Sequence, residues 1–250
     1  MHVTKYNASG NDFVIFHTFK EFDASTLARK LCHRQEGVGA DGLIVLLPNS
    51  VCDFKWQFYN SDGSEASMCG NGTRACAHYA YHNGLAKEKM TFLTGAGVIS
   101  STVDGNMVET QLTQPQILSD IFEEMGFVWH FVDTGVPHLV TFADTADVFD
   151  KDIARQMRYK YNTNVNFAYI KDEDLHVRTY ERGVEDETLA CGTGMAASFY
   201  CAFLQGLVAS TVRVYPKSQE ELYLKMDEGN LYFKGEVHRV FETDIELSYF

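Results

Sequence analysis

Glu65-Ala-Ser-Met-Cys-Gly-Asn-Gly72 and Glu187-Thr-Leu-Ala-Cys-Gly-Thr-Gly194 follow one plan. Each sets a cysteine, Cys69 or Cys191, directly before a Gly-x-Gly and an apolar helical stretch. The cysteines lie 122 residues apart in a chain of 250, almost half its length. Self-similarity at a fixed separation marks a structural unit used twice. Here each copy carries one thiol at the matching place.

The flanking sequence repeats as well. Lys5-Tyr-Asn-Ala-Ser-Gly-Asn-Asp-Phe-Val-Ile-Phe16 reads as a strand, a polar turn at Gly10 and a second strand. Phe131-Val-Asp-Thr-Gly-Val-Pro-His-Leu-Val-Thr-Phe142 has the same plan 125 residues later. A helix is expected after each, over about residues 24–34 with its N-cap near Ser25, and over about 146–159 beginning near Asp147. Strands follow at Leu43–Leu47 and Lys55–Tyr59, and at Val165–Ile170 and Leu175–Tyr180. Next come the helices behind the two cysteines, Thr73–Asn83 and Met195–Gln205, with stops at Gly84 and Gly206. Each half closes with turn-separated strands, Val98–Val103 with Met107–Leu112 and Leu222–Lys225 with Leu231–Phe233.

The second helix is apolar nearly all round, as a helix enclosed on every side must be. The expected fold is therefore α+β. It has two pseudo-symmetric domains, each a curved, antiparallel-rich sheet or open barrel around a central helix, with the active site in the cleft between them. Their expected extents are 1–113 with Cys69 and 114–240 with Cys191, the C-terminal strand 241–250 packing back onto the first.

Composition bounds the function. At 45% hydrophobic residues the chain can bury a substantial core, and thirteen Tyr, eighteen Phe and two Trp suit a β-rich protein. A net charge of −13 argues against a nucleic-acid or anionic-membrane partner, though a local positive pocket can still hold an anionic substrate. The start of the sequence lacks the apolar core of a signal peptide, and no run approaches the ~20 apolar residues of a membrane span. A cytoplasmic protein is expected. None of the six cysteines forms a C-x-x-C pair, and in a reducing cytosol all six are expected to be free thiols.

A thiol at a helix N-terminus has a specific chemistry. The helix dipole favours its anionic form, and Gly-x-Gly lets backbone N–H groups approach an anionic ligand. Two such helices meeting end to end would aim their donors at one carboxylate and set two sulfurs on opposite sides of the carbon bearing it. Loss of the α-hydrogen of an amino acid builds enediolate-like charge on that carboxylate, where those donors stabilise it. One thiolate removes the proton and the opposite thiol returns another, inverting the centre.

An ordered series of motifs now points to a family: Gly10-Asn-Asp-Phe13, Gly37-Val-Gly-Ala-Asp-Gly42, Asn60-Ser-Asp-Gly-Ser-Glu65, Cys69-Gly-Asn-Gly72, Gly135-Val-Pro-His138, Asn164, Tyr180-Glu-Arg-Gly183 and Ala190-Cys-Gly-Thr-Gly194. Over nearly its whole length the chain resembles diaminopimelate epimerase, which interconverts LL- and meso-2,6-diaminopimelate without pyridoxal phosphate in lysine and peptidoglycan-precursor biosynthesis. The resemblance implies an isomerase with no cofactor and no metal, a homodimer acting on a small molecule. It makes Cys69 and Cys191 the paired acid/base thiols, and Gly70, Asn71, Gly192 and Thr193 the donors around the reacting carboxylate. Asn11, Asn60, Asn164, Glu181 and Arg182 would hold the distal amino-acid head, Arg182 its carboxylate and Glu181 its ammonium.

Two positions depart from the family pattern. Val136 stands where many members have Asn, and Gly42 where some carry Gln, which leaves room for looser substrate selection. Other constellations point away from function. His78 and His82 have metal-ligand spacing but no third ligand, so they read as a helix-surface pair, and His138 reads as a turn brace. Glu185-Asp-Glu187 would cap the second helix, or raise the thiol's pKa if it faced the sulfur. Rival functions are a proline racemase-like enzyme, a thiol redox protein and an amino-acid-binding module. The first lacks the Tyr-Glu-Arg-Gly signature, and the second leaves Glu181, Arg182 and the matched helices unexplained.

Overall fold

A β-hairpin opens the first half, and its turn residue shows why. Strands β1 (His2–Ala8) and β2 (Asn11–His17) are joined through Gly10, whose φ of +82° falls where only glycine is comfortable. The computed structural model describes residues 1–246, so the end of the expected 241–250 strand lies outside the described residues. Two units separate, Leu112–Phe233 and the remainder, Met1–Gln111 with the chain from Lys234 on.

In the first unit the hairpin is followed by α1 (Ser25–Cys32), β3 (Gly42–Leu47), β4 (Phe54–Asn60), α2 (Gly70–His82), β5 (Lys89–Thr94), β6 (Gly97–Asp104) and β7 (Met107–Gln111). The pairings run antiparallel for β1/β2, parallel for β2/β3, antiparallel for β3/β4, parallel for β4/β5, and antiparallel for β5/β6 and β6/β7. Each parallel step spans a helix, as parallel neighbours require.

The second unit contains β8 (Gln116–Ile117), β9 (Phe122–Glu124), β10 (Phe127–Asp133), β11 (Pro137–Phe142), α3 (Lys151–Tyr161), β12 (Asn164–Lys171), β13 (Asp174–Glu181), β14 (Asp186–Glu187), α4 (Gly192–Leu204), β15 (Thr211–Tyr215), β16 (Leu222–Asp227) and the part of β17 (Asn230–Glu236) up to Phe233. Here β10/β11 is antiparallel, β11/β12 parallel, β12/β13 antiparallel, β13/β15 parallel and β15/β16 antiparallel. The first five senses of the first unit are thus repeated in the same order. A final strand, β18 (His238–Asp244), pairs with β1 in the first unit.

Burial follows from this arrangement. Every residue of β3 is buried, because Ile44 and Leu46 face α2 while Leu43, Val45 and Leu47 face α1. Small residues Ala75, Cys76, Ala77 and Ala80 line α2 and let the strands approach it closely; Gly70–Ala80 is buried throughout. In the second unit Ala154 and Met157 of α3 pack on Trp129, Leu139, Val165 and Phe167, while α4 buries Gly194–Phe199, Cys201 and Ala202. No described helix is long and apolar enough to cross a membrane.

Helix boundaries differ from the sequence reading where capping was misassigned. Helix α1 starts at Ser25 itself, whose N–H is received by the Asp23 carboxylate, so Ser25 is not its cap. Ala146–Val148 is a separate 3-10 turn, and α3 begins only after Asp150, whose carboxylate accepts from the N–H groups of Asp152 and Ile153. Both cysteine helices begin three residues earlier than expected, because each Gly-x-Gly is the first turn and not a linker. Their ends match: Gly84 and Gly206, at φ +68° and +69°, are followed by Leu85 and Leu207 bonding back to the carbonyls of Ala80 and Ala202.

Candidate active site

Cys69 and Cys191 are the N-cap residues of α2 and α4, both in extended backbone. The next turn closes alike in each, with Thr73 N–H on the Cys69 carbonyl at 2.8 Å and Met195 N–H on the Cys191 carbonyl at 2.9 Å. The sulfurs are served differently. Gly72 N–H donates to Cys69 Sγ at 3.4 Å, whereas the Thr193 hydroxyl lies 3.5 Å from Cys191 Sγ. Burial pushes the thiols of Cys32 and Cys201 up to about 12 and that of Cys76 well above its usual value, so these three are poor proton acceptors.

Strand register explains how the remaining candidates gather. In the second unit His138 lies beside Asn164, and the β12/β13 ladder, pairing Val165 with Tyr180, brings Asn164 to the level of Glu181. Asn164 Oδ1 accepts from the Arg182 N–H at 2.8 Å, and Arg182 Nη1 donates to the Asn162 carbonyl at 2.7 Å. Asn164, Glu181 and Arg182 therefore form one cluster. Burial raises the Glu181 carboxyl above its ordinary value; such a carboxylate favours a cationic partner.

The corresponding row in the first unit is Phe13, Gly42 and Asn60. Asn60 is exposed, with its Nδ2 donating to Ser64 Oγ at 3.0 Å. Gly42 is small for a reason: a Cβ there would sit 2.5 Å from the Phe58 ring, which fills the space a longer side chain would need. Asn11 is drawn to the cysteine helix, its Oδ1 accepting from Asn71 Nδ2 at 2.6 Å and its Nδ2 donating to Asp41 at 3.2 Å. Val136, at the position matching Asn11, offers no amide.

Several supporting residues escaped the sequence reading. Arg74, fully buried, donates to Asn71 Oδ1 at 2.8 Å and to Ser9 Oγ at 2.6 Å. In the matching place Thr134 Oγ1 donates to the Thr193 carbonyl at 2.9 Å. Ser9 and Thr134 each precede a hairpin glycine, Gly10 or Gly135, a correspondence visible in the aligned halves. His138 bonds to the first turn of α4 and not to the hairpin turn beside it. It lies inside β11, fully buried, with Nε2 on Thr193 Oγ1 at 2.9 Å and Nδ1 accepting from Asn166 Nδ2 at 3.1 Å.

His78 is likewise buried rather than on the helix surface, bonded through Nδ1 to the Tyr6 hydroxyl at 3.1 Å, with the exposed His82 stacked beside it. The acidic run does not cap α4. Glu187 takes Arg178 and Lys217, Asp186 takes Lys151 and Glu185 takes Arg158.

The family model described as diaminopimelate epimerase matches residues 3–118 and 130–240. The chain is similar to a diaminopimelate epimerase of Nitratiruptor sp., 62% identical over 97% of this chain and 98% of that one. It is also similar to one of Campylobacter lari, 51% identical over 98% of each. Among solved structures it resembles a phenazine biosynthesis protein of the PhzF family from Bacillus anthracis, with TM-score 0.73, 16% identity and 99% of each chain covered, a likeness of fold.

Proposed function

The chain belongs to the diaminopimelate epimerase family, and from that premise we propose that it is an isomerase interconverting LL- and meso-2,6-diaminopimelate by thiolate/thiol proton transfer without a cofactor. The observation that carries the proposal is the pair of matched N-cap cysteines, Cys69 and Cys191, each with a hydrogen-bonding group at its sulfur. Negative charge on a sulfur there is stabilised by the helix dipole. One thiolate takes the α-proton while the other thiol delivers a proton to the opposite face, and the roles exchange in the reverse direction.

Charge that develops on the reacting carboxylate is met by the first-turn N–H groups of Gly70 and Asn71 and of Gly192 and Thr193. By position these groups have no intrahelical acceptor. The distal head is held by Arg182 on its carboxylate, Glu181 on its ammonium, and Asn11, Asn60 and Asn164 on both. The partial burial of Glu181 supports that role, since a cation relieves its desolvation. On the family resemblance we assign a homodimer in the cytoplasm.

The test is exchange of substrate α-hydrogen in deuterated water, with LL-diaminopimelate, L-glutamate and L-proline as substrates. Deuterium should enter diaminopimelate and not the one-headed amino acids. A protein that binds diaminopimelate but exchanges no α-hydrogen is not an epimerase.

A further inference from the structure

The fully buried Asn166 has its amide fixed end for end. Its Nδ2 donates to the Leu139 carbonyl at 2.9 Å and to His138 Nδ1 at 3.1 Å, while its Oδ1 accepts from Thr179 Oγ1 at 2.9 Å. Turned over, its oxygen would face the Leu139 carbonyl oxygen with no proton between them, so that peptide sets the orientation. Both Nδ2 hydrogens are then committed, and His138 Nδ1 must accept. Burial, aided by the charge of Arg182, pushes the imidazole down to about 3, so the ring is neutral and its single proton sits on Nε2. That proton is donated to Thr193 Oγ1 at 2.9 Å. A hydroxyl oxygen that accepts from His138 still has its own hydrogen, and Cys191 Sγ lies 3.5 Å away.

We propose that the Leu139 carbonyl, Asn166 and His138 form a proton-ordered chain that points the Thr193 hydroxyl hydrogen at Cys191 Sγ, making Asn166 and His138 positioning residues for the anionic form of that sulfur. The inference rests on the two-thiol reading and deepens it. Thr134 steadies the same turn through the Thr193 carbonyl. Arg182 is the charged group acting on His138, and the Glu187 carboxylate, four residues before Cys191, is occupied by Arg178 and Lys217. The device belongs to one half. Asn71, which holds the place of Thr193 beside Cys69, is engaged instead with Asn11 and Arg74.

The experiment follows alkylation of Cys191 by iodoacetamide against pH in a Cys69→Ala background, with the modified site located by mass spectrometry. Thr193→Val, which removes the hydroxyl at nearly constant shape, should move the midpoint upward by about one pH unit, the worth of one hydrogen bond to a charged group. Thr193→Ser should restore the parental midpoint. Asn166→Leu should move it in the same direction as Thr193→Val, provided thermal unfolding shows the variant folded. An unmoved midpoint in Thr193→Val, or an equal shift in Thr193→Ser, overturns the chain. Absence of α-hydrogen exchange by the parent overturns the epimerase reading and leaves the alkylation comparison standing, so the two failures are told apart.

Discussion

The matched glycines that close the first turns, Gly72 and Gly194, should respond oppositely to the same added methyl group. At Gly72 a Cβ would lie 3.3 Å from Cys69 Cβ, 3.4 Å from Ile44 Cδ1 and 3.5 Å from Cys69 Sγ, contacts relieved by movements of a few tenths of an ångström. At Gly194 it would lie 2.3 Å from Asn166 Oδ1 and 3.0 Å from Thr179 Oγ1, against a side chain held at both ends. Alanine gains up to about 1 kcal/mol over glycine in a helix. Overpacking costs about 1–3 kcal/mol, and a broken buried hydrogen bond about 1 kcal/mol more. Gly72→Ala should therefore stay within about 1 kcal/mol of the parent in stability yet lose turnover, because its tightest contact is with Cys69 Cβ and displaces the side chain that carries the thiol. Gly194→Ala should lose about 2–3 kcal/mol, a fall of roughly 5–10 °C in Tm, and lose turnover with it. Thermal unfolding followed by circular dichroism, paired with an epimerisation assay, checks both. Equal stability of the two variants, or a less stable Gly72→Ala, would refute the packing argument.

Cys69→Ala and Cys191→Ala should each abolish epimerisation with little loss of folding, and serine at either position should be damaging too, since a hydroxyl is a far weaker acid near neutral pH; turnover at the parental rate in one alanine variant ends the two-base reading. Arg182→Leu should cost about 2–5 kcal/mol in kcat/KM for diaminopimelate, as loss of a partly desolvated charge contact does; parental efficiency would remove Arg182 from the distal site. Asp12 offers a pH test: burial works to raise its pKa, yet the hydrogen bonds and charges of Arg34 and Lys5 hold it at about 2. A depressed carboxylate stabilises the fold above its unfolded pKa of about 4, and that contribution disappears as pH falls toward 2. Denaturant titrations of the parent should show the loss over that window, and Asp12→Asn should lack it.

What could be read in the sequence was local. The hairpins at Gly10 and Gly135, the cysteine helices and their stops at Gly84 and Gly206 are each fixed by residues within a turn of one another. Errors arose where two neighbours could do one job. Asp147 and Asp150 are both credible caps, and only the packing of Ala154 and Met157 decides for Asp150. The start of β18, at His238 rather than 241, was hidden because its residues, almost all exposed, follow no alternating pattern; pairing with His2–Asn7 sets it. The same limit governs the site. Cys69 and Cys191 announce themselves by their flanks, whereas His138 and Asn166 act through parallel register and a fully buried amide, which no short motif records.

The pairing of β1 with β18 also bears on how the molecule is made. During synthesis the first unit has emerged through Gln111, yet it needs residues from His238 on to cover the outer edge of β1. At about 5–20 residues per second that edge stays open for on the order of ten seconds, a template for mispairing. The contiguous second unit, Leu112–Phe233, meets no such delay. The half that leaves the ribosome first is therefore the half completed last.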